Sequence, residues 1–287
     1  MGIKVIFRGF NFSQDGPGNR LVYHLQGCNL HCPWCSNPES IPENGSLLAK
    51  GVLDDNLCPF GAIKDGVLNR ENCETCIEKP CTKGQNSSLQ LSCSDMKIEE
   101  VIDEIKRSKK LFFDGGGVTF TGGEPTIQFD ALKEVLSRLN DLDINTAVET
   151  NGTHIQLPEL FELIDFLIID CKHYNSKVHK KVIRFPNEAI LKNIASALEQ
   201  RSQLLIRIPL IGGFNASKTD AEGFANLFCN LNTENCSFEL LRYHEYGKDK
   251  WNQCGIEYKM KNASVSDDDL NEFIKVFEAH NLKLVRT

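Results

Sequence analysis

Long hydrophobic runs are missing from this 287-residue chain. Its longest apolar stretches, such as FLIID at 166–170, have the length of a strand and fall well short of the ~20 residues that span a bilayer. The first ten residues, MGIKVIFRGF, have neither the extended apolar region nor the small-residue cleavage site of a secretory signal. Position 6 is Ile where a myristoylation motif wants Ser or Thr. Basic charge is also short: 32 Lys and Arg stand against 39 Asp and Glu, a formal net charge of −7. That balance argues against a nucleic-acid partner, which needs a basic face to displace counterions. The expectation is a cytoplasmic monomer, bound to no membrane and acting on a protein or a small molecule. With 41% hydrophobic and 25% charged residues the chain is neither disordered nor fibrous, and its length suits a single α/β barrel.

Cysteine, by contrast, is plentiful. Twelve cysteines without a secretory signal point away from a disulfide framework, because cytosolic thiols are kept reduced. Eight fall between Cys28 and Cys93 and look like metal ligands. Cys171, Cys229, Cys236 and Cys254 are scattered and read as small core residues.

Strand and helix patterns alternate along most of the chain. Candidate strands are 20–26, 117–122, 144–150, 166–172, 204–210 and 238–245. Helical spacing links Ile98, Val101, Ile102 and Ile105, and again Phe129, Leu132, Val135, Leu136 and Leu139. Ser94 or Asp95 is the expected cap of the first helix, and Asp130 sits in the first turn of the second. Residues 187–200 and 267–280 read as two more helices. About six parallel strands with intervening helices give an α/β class, a partial (β/α)6 TIM-like barrel. Residues 41–93 break the rhythm. They read as a cysteine-rich, ferredoxin-like insertion into a barrel made of residues 1–40 and 94–287. Polar or special residues follow nearly every strand: Cys28, Gly122-Gly123-Glu124, Glu149, Asp170 with Lys172, Arg207 and His244. Parallel α/β folds bind ligands at the carboxyl ends of their strands.

The segment GCNLHCPWCSNPES, 27–40, sets Cys28, Cys32 and Cys35 close together without a fourth cysteine nearby. A structural zinc site needs four ligands, so it would have to recruit His24, His31 or a distant cysteine. A four-iron cluster held by three cysteines instead leaves one iron open to a substrate.

Cys-x-x-x-Cys-x-x-Cys resembles the signature of radical S-adenosylmethionine (SAM) enzymes. The motifs Asp15-Gly16-Pro17-Gly18-Asn19-Arg20, Gln26-Gly27-Cys28, Cys35 to Ser40, GGGVTFTGGEP at 115–125, Thr150-Asn151-Gly152 and Tyr243-His244-Glu245-Tyr246-Gly247 narrow the resemblance. Together they are similar to the activating enzymes of glycyl radical enzymes, the pyruvate formate-lyase activating enzyme group, over nearly the whole chain. The resemblance implies a 4Fe-4S cluster on Cys28, Cys32 and Cys35 whose open iron chelates SAM, and reductive cleavage to methionine and a 5′-deoxyadenosyl radical. That radical takes a hydrogen from a backbone glycine of a partner glycyl radical enzyme, with flavodoxin or ferredoxin as electron donor. It also implies that Trp34 packs near the adenine, that Cys35 and Ser36 are further cofactor-binding residues, and that Gly122, Gly123 and Glu124 form the strand end that admits the methionyl amine. Asp170, Cys171 and Lys172 match the Asp-x-Lys pair that holds the methionyl carboxylate region and a monovalent cation. Arg207 and His244 approach the same ligand, and Asp15 borders the entry of the partner's glycine loop. Glu149 stands where relatives often have Asp.

In the insertion, Cys58-Pro59 resembles the end of a bacterial ferredoxin motif, and Cys73, Cys76 and Cys81 a loosened version of its start. That reading encloses a second 4Fe-4S cluster with Cys58, Cys73, Cys76 and Cys81, Cys93 being an alternate ligand. A zinc ribbon is the competing reading. Two other functions stay open: a radical SAM enzyme acting on a small molecule, and a ferredoxin-like electron carrier.

Overall fold

The computed structural model describes residues 1–12, 14–73, 76, 79–82, 88–200 and 203–286. An antiparallel hairpin of β1 (Gly2–Phe12) and β2 (Asn19–Leu25) opens the chain. The cysteine-rich stretch follows, with short strands β3 (Leu47–Ala49), β4 (Ile63–Lys64), β5 (Val67–Leu68) and β6 (Leu89–Leu91). β3 pairs with β6 and β4 with β5, both antiparallel. Beyond them come β7 (Ser94–Lys97) and then the alternating part: α1 (Ile98–Ser108), β8 (Val118–Gly122), α2 (Phe129–Asn140), β9 (Thr146–Thr150) and β10 (Phe166–Asp170). It continues through α3 (Ser176–Ile183), α4 (Glu188–Gln200), β11 (Leu204–Leu210), α5 (Lys218–Cys229), β12 (Cys236–Arg242), α6 (Lys248–Gln253) and α7 (Asp267–Ala279).

Eight strands form one sheet in the order β12-β11-β10-β9-β8-β2-β1-β7. The run from β12 to β2 is parallel throughout, as the six sequence-derived strands require. β1 and β7 extend it antiparallel beyond β2. Parallel strands bury both faces, and β10 and β11 accordingly read as nearly unbroken aliphatic runs, FLIID and LLIRIPL. Helices cover the outer face: α1 buries Ile98, Val101, Ile102 and Ile105, each worth about 1.5–3 kcal/mol. No helix among the described residues is long and apolar enough to cross a membrane.

The cap expected at Ser94 or Asp95 is a correction. Both lie on β7, paired with Val5 and Lys4, and the helix starts at Ile98, where Glu100 accepts a hydrogen bond from the Lys97 N–H at 3.1 Å. Pairing with β1 gives those two residues an extended backbone that a helical cap signal cannot outweigh.

Buried Arg20 holds the β1–β2 turn against β8. Its guanidinium donates to Thr119 Oγ1 (2.7 Å), Val118 O (2.8 Å), Asn145 Oδ1 (2.9 Å) and Pro17 O (3.1 Å), and Thr119 Oγ1 donates to Asp15 O (2.6 Å). The glycine run before β8 lets the chain pass under this turn: a Cβ on Gly116 would lie 2.0 Å from Asn19 O, whereas one on Gly115 meets nothing within 4 Å. Gly115 has a φ of 77°, so alanine there costs only backbone strain of about 1–2 kcal/mol. Gly116→Ala has no space and should cost more than the typical overpacking penalty of about 1–3 kcal/mol. Urea denaturation of the two variants should rank Gly116→Ala as the less stable, and equal midpoints would contradict the close approach.

Candidate active site

A cavity of about 500 Å³ opens at the carboxyl ends of the parallel strands. Its wall brings together Asp15, Cys28, Cys32, Trp34, Cys35, Ser36, Gly122, Gly123, Glu149, Asp170, Lys172, Arg207 and His244, all singled out from sequence. Two others are placed elsewhere. Glu124 is fully buried and turned into the protein, where it accepts hydrogen bonds from Thr126 N (3.0 Å), Thr126 Oγ1 (2.5 Å), Thr150 Oγ1 (2.6 Å) and Asn151 N (2.5 Å). It ties the loop after β8 to the loop after β9. Cys171 packs in the main core, because alternation along the strand end sends it away from Asp170 and Lys172.

Gly122 and Gly123 serve the protein before any ligand. A Cβ at Gly122 would lie 2.4 Å from Leu25 N, and one at Gly123 would lie 2.3 Å from Gly27 O. The pair lets β8 close onto the chain that leads into Cys28, and Glu124 N donates to Gly27 O at 2.7 Å to seal the contact.

The three thiols are buried or half-buried. Burial pushes the Cys28 thiol up to about 12 and raises Cys32 and Cys35 as well. Left alone they stay protonated at neutral pH, whereas a bound metal displaces the protons. Donors already face the sulfurs: Asn37 N–H donates to Cys35 Sγ at 3.4 Å, and Asn151 Nδ2 stands 4.0 Å from Cys28 Sγ. Such donors are among the groups that tune an iron–sulfur site. Among the described residues no three His, Cys, Asp or Glu groups close in tightly enough to enclose a single metal ion. The chemistry of the donor set, three soft thiols on one loop at the cavity wall, suits a four-iron cluster.

In the same cavity wall, Lys172 Nζ lies 2.5 Å from Asp170 Oδ2. Burial opposes the lysine's charge, yet Asp170 and the neighbouring Cys32 hold its pKa above the ordinary lysine range, and burial raises Asp170. Arg207 donates to Glu239 Oε2 and to Glu149 Oε1, both at 2.7 Å, and to the Gln14 carbonyl. Thr121 Oγ1 donates to Glu149 Oε2 at 2.9 Å. The guanidinium thus holds two acids and the turn that carries Asp15. Burial and the nearby Glu149 raise Asp15.

Sequence reasoning gave no role to Lys250 and Trp251. Lys250 Nζ bonds Glu39 Oε1 and Asn37 Oδ1, both at 2.7 Å, and Trp251 Nε1 donates to Cys35 O at 2.9 Å. They fasten α6 to the loop of Cys35, and the mix of cation and aromatic in KDKW was the available signal. Trp34, nearly buried, lines the cavity and packs its ring, tilted by 43°, against Phe214 at 4.9 Å between centres. His244 is exposed at the mouth and stacks at 4.2 Å on Tyr246.

In the cysteine-rich stretch, Cys58, Cys73 and Cys81 pack against a small separate core of Leu47, Leu53, Ile63 and Leu89. Burial and the charges of neighbouring cysteines, Cys58 and Cys76 among them, raise Cys73 and Cys81. Burial also raises Cys93, but the charged groups acting on it are Lys4, Asp95 and Lys79, and its sulfur faces Gly45.

The comparisons agree with this geometry. Residues 22–221 match the model of the Radical SAM superfamily. The 4-hydroxyphenylacetate decarboxylase activating enzyme of Clostridioides difficile (strain CD196) is 31% identical over 295 residues, covering 95% of this chain and 92% of the relative. The choline trimethylamine-lyase activating enzyme of Oleidesulfovibrio alaskensis is 32% identical over 275 residues, covering 89% and 88%. The crystal structure of a domain of pyruvate-formate lyase-activating enzyme from Bacteroides vulgatus superposes with a TM-score of 0.50 at 30% identity, covering 60% of this chain and 98% of that one. The chain belongs to the radical SAM superfamily, among the glycyl-radical enzyme activating enzymes. It is an enzyme of radical oxidoreductive chemistry, and its family uses a 4Fe-4S cluster and SAM.

Removing Arg207 would take a cation from buried Glu239 and half-buried Glu149. Arg207→Met should lower stability at pH 7 by about 3–5 kcal/mol, the usual cost of breaking a buried pair from one side. Although burial pushes the other way, Arg207 holds the folded-state pKa of Glu149 below the ordinary glutamate range. Its stabilisation is therefore present above that range and is lost as pH falls through the folded value. Denaturant titrations should show the gap between wild type and Arg207→Met narrowing as pH drops from 7 into the acid range. A constant gap would contradict the pairing.

Proposed function

We propose that Cys28, Cys32 and Cys35 hold the 4Fe-4S cluster and that the cavity beside them binds SAM for the activation of a partner glycyl radical enzyme. When bound, the reduced cluster supplies the electron that splits the sulfonium into methionine and a 5′-deoxyadenosyl radical, which takes a hydrogen atom from the partner's glycine. The carrying observation is that the three thiols of Cys28, Cys32 and Cys35 share one cavity wall with Asp170, Lys172 and Arg207, groups of both signs suited to an amino acid's carboxylate and amine.

The chain's own residues bind, orient and exclude water. Lys172, kept charged by Asp170, faces the methionyl carboxylate, and the bare backbone at Gly122 and Gly123 receives the amine. Trp34 and Ser36 border the adenine, with His244 as the wall at the mouth. None of them has to move a proton, because neither cleavage of the sulfonium nor hydrogen abstraction needs an acid or base. Their task is placement, where an error of about 1 Å can cost roughly a hundredfold. The acids Asp15, Glu149 and Asp170 around the same cavity support a monovalent cation there.

Residues 41–93 form the inserted unit between the two parts of the barrel, 1–40 and 94–287, and its private core and local strand pairs support that division. Cys58, Cys73, Cys76 and Cys81 hold one further 4Fe-4S cluster, and Cys93 stands outside it. A flavodoxin or ferredoxin supplies electrons.

Replacing Cys28, Cys32 and Cys35 together by Ala should abolish 5′-deoxyadenosine formation by the anaerobically reduced protein, and undiminished formation would overturn the site. Iron analysis after anaerobic reconstitution should give about eight irons per chain, the content of two four-iron clusters, and should be unchanged in Cys93→Ala. About four irons with stoichiometric zinc would select the zinc ribbon.

A further inference from the structure

The target of this chemistry is a backbone glycine, so the partner must lay a piece of main chain against the cavity. One strand edge is positioned to receive it. β1 pairs with β2 from Val5 to Phe12 but with β7 only from Gly2 to Val5. Among the described residues its other edge, from Phe7 to Phe12, therefore carries no strand. At the far side of the sheet the edge is covered: Phe238 N donates to Lys283 O (2.8 Å) and Val285 N to Phe238 O (2.9 Å).

Open edges are usually blunted by charge or proline, because they invite pairing with another chain. This one is apolar instead. Phe7, Phe10 and Phe12 are 63%, 44% and 53% exposed, and the one charged residue among them, Arg8, is taken up by Glu104 at 2.7 Å. Phe10 and Phe12 share one face, with ring centres 6.3 Å from Phe112 and 6.0 Å from Phe113. Leu111 and Phe113 are themselves half exposed, which extends the apolar surface. The other face leads into the site. The Phe7 ring lies 5.9 Å from His24, and Asn11 Nδ2 donates to Asp15 Oδ2 at 2.5 Å; His24 and Asp15 both line the cavity.

Resting on the activase reading, we propose that an extended segment of the partner glycyl radical enzyme, carrying or flanking its target glycine, adds to β1 at Phe7–Phe12 as a further strand. Strand addition draws affinity from main-chain hydrogen bonds and specificity from alternate side chains. A grip on the main chain suits a glycine, which offers no side chain to hold. Phe10 and Phe12 receive apolar side chains on the outer face, while the Phe7 and Asn11 face directs the segment to the cavity.

The test uses a glycyl radical enzyme that the wild-type protein activates. Hydrogen exchange on the anaerobic, reconstituted wild type should show the amides of residues 7–12 slowed when that partner is added. The double variant Phe10→Lys/Phe12→Lys places two charges on an exposed face outside the cavity wall. It should form 5′-deoxyadenosine without partner at the wild-type rate, while the partner concentration for half-maximal glycyl radical rises about tenfold or more, the scale of a lost interface anchor. Unprotected amides at 7–12, or an unchanged half-saturation, overturns the docking site. Failure of the activase reading shows separately, as no radical on any glycyl radical enzyme with the wild-type protein.

Discussion

Removal of charge from water is the constraint around which the site is organised. Asp15, Glu149, Asp170, Lys172, Arg207 and Glu239 all line one cavity inside the barrel, where an unpaired charge is costly. The structure answers with pairs and not with exposure: Lys172 with Asp170, Arg207 with Glu149 and Glu239. Lys172 and Asp170 stand at the end of β10, while Arg207 on β11 reaches Glu239 on the adjacent β12 and Glu149 on β9, one strand beyond β10, so the pairs tie four strands of the sheet together. Buried polar groups that are fully partnered rigidify their surroundings. That rigidity is what a reaction dependent on placement requires.

The cysteine loop is held by the same economy of local contacts. Gly122 and Gly123 let β8 press on the chain before Cys28, Glu124 locks the next two loops together, and Lys250 with Trp251 fastens α6 over Cys35. α6 is also tied to the cysteine-rich stretch, since Arg70 donates to Leu47 O and to Gln253 O, both at 2.7 Å. The loop that presents the thiols is thus supported from the barrel on one side and through α6 on the other. Its order does not depend on a metal alone.

Much of this could be read from residue order. The aliphatic runs of β10 and β11 and the β-branched, threonine-rich VTFTG and TAVET of β8 and β9 are visible as strands without a structure. β1 is less legible, since GIKVIFRGFNF alternates through only part of its length. α6 is one short polar turn pair, and α5, which buries Ala221, Phe224, Ala225 and Phe228 at helical spacing, carries Gly223 within that stripe. In the site, the positions of Asp170, Lys172 and His244 at or just past strand ends were legible because topology fixes where strands end, and Arg207 stood out as the one charge within LLIRIPL. The inward turn of Glu124 and the anchoring by Trp251 were not, since both depend on which distant backbone groups need partners. Cys93 illustrates the same limit: its spacing fits a ligand, but Lys4, Asp95 and Gly45 surround it.

The central claim is that this cavity joins SAM cleavage to a hydrogen atom on a partner's main chain, and the path of that atom tests it most directly. The reduced protein should be mixed anaerobically with SAM and a glycyl radical enzyme whose glycines carry deuterium at the α-carbon. Mass spectrometry should then find deuterium in 5′-deoxyadenosine while electron paramagnetic resonance detects a radical on the partner. Label-free 5′-deoxyadenosine formed together with loss of a small metabolite, and no partner radical, would contradict the account.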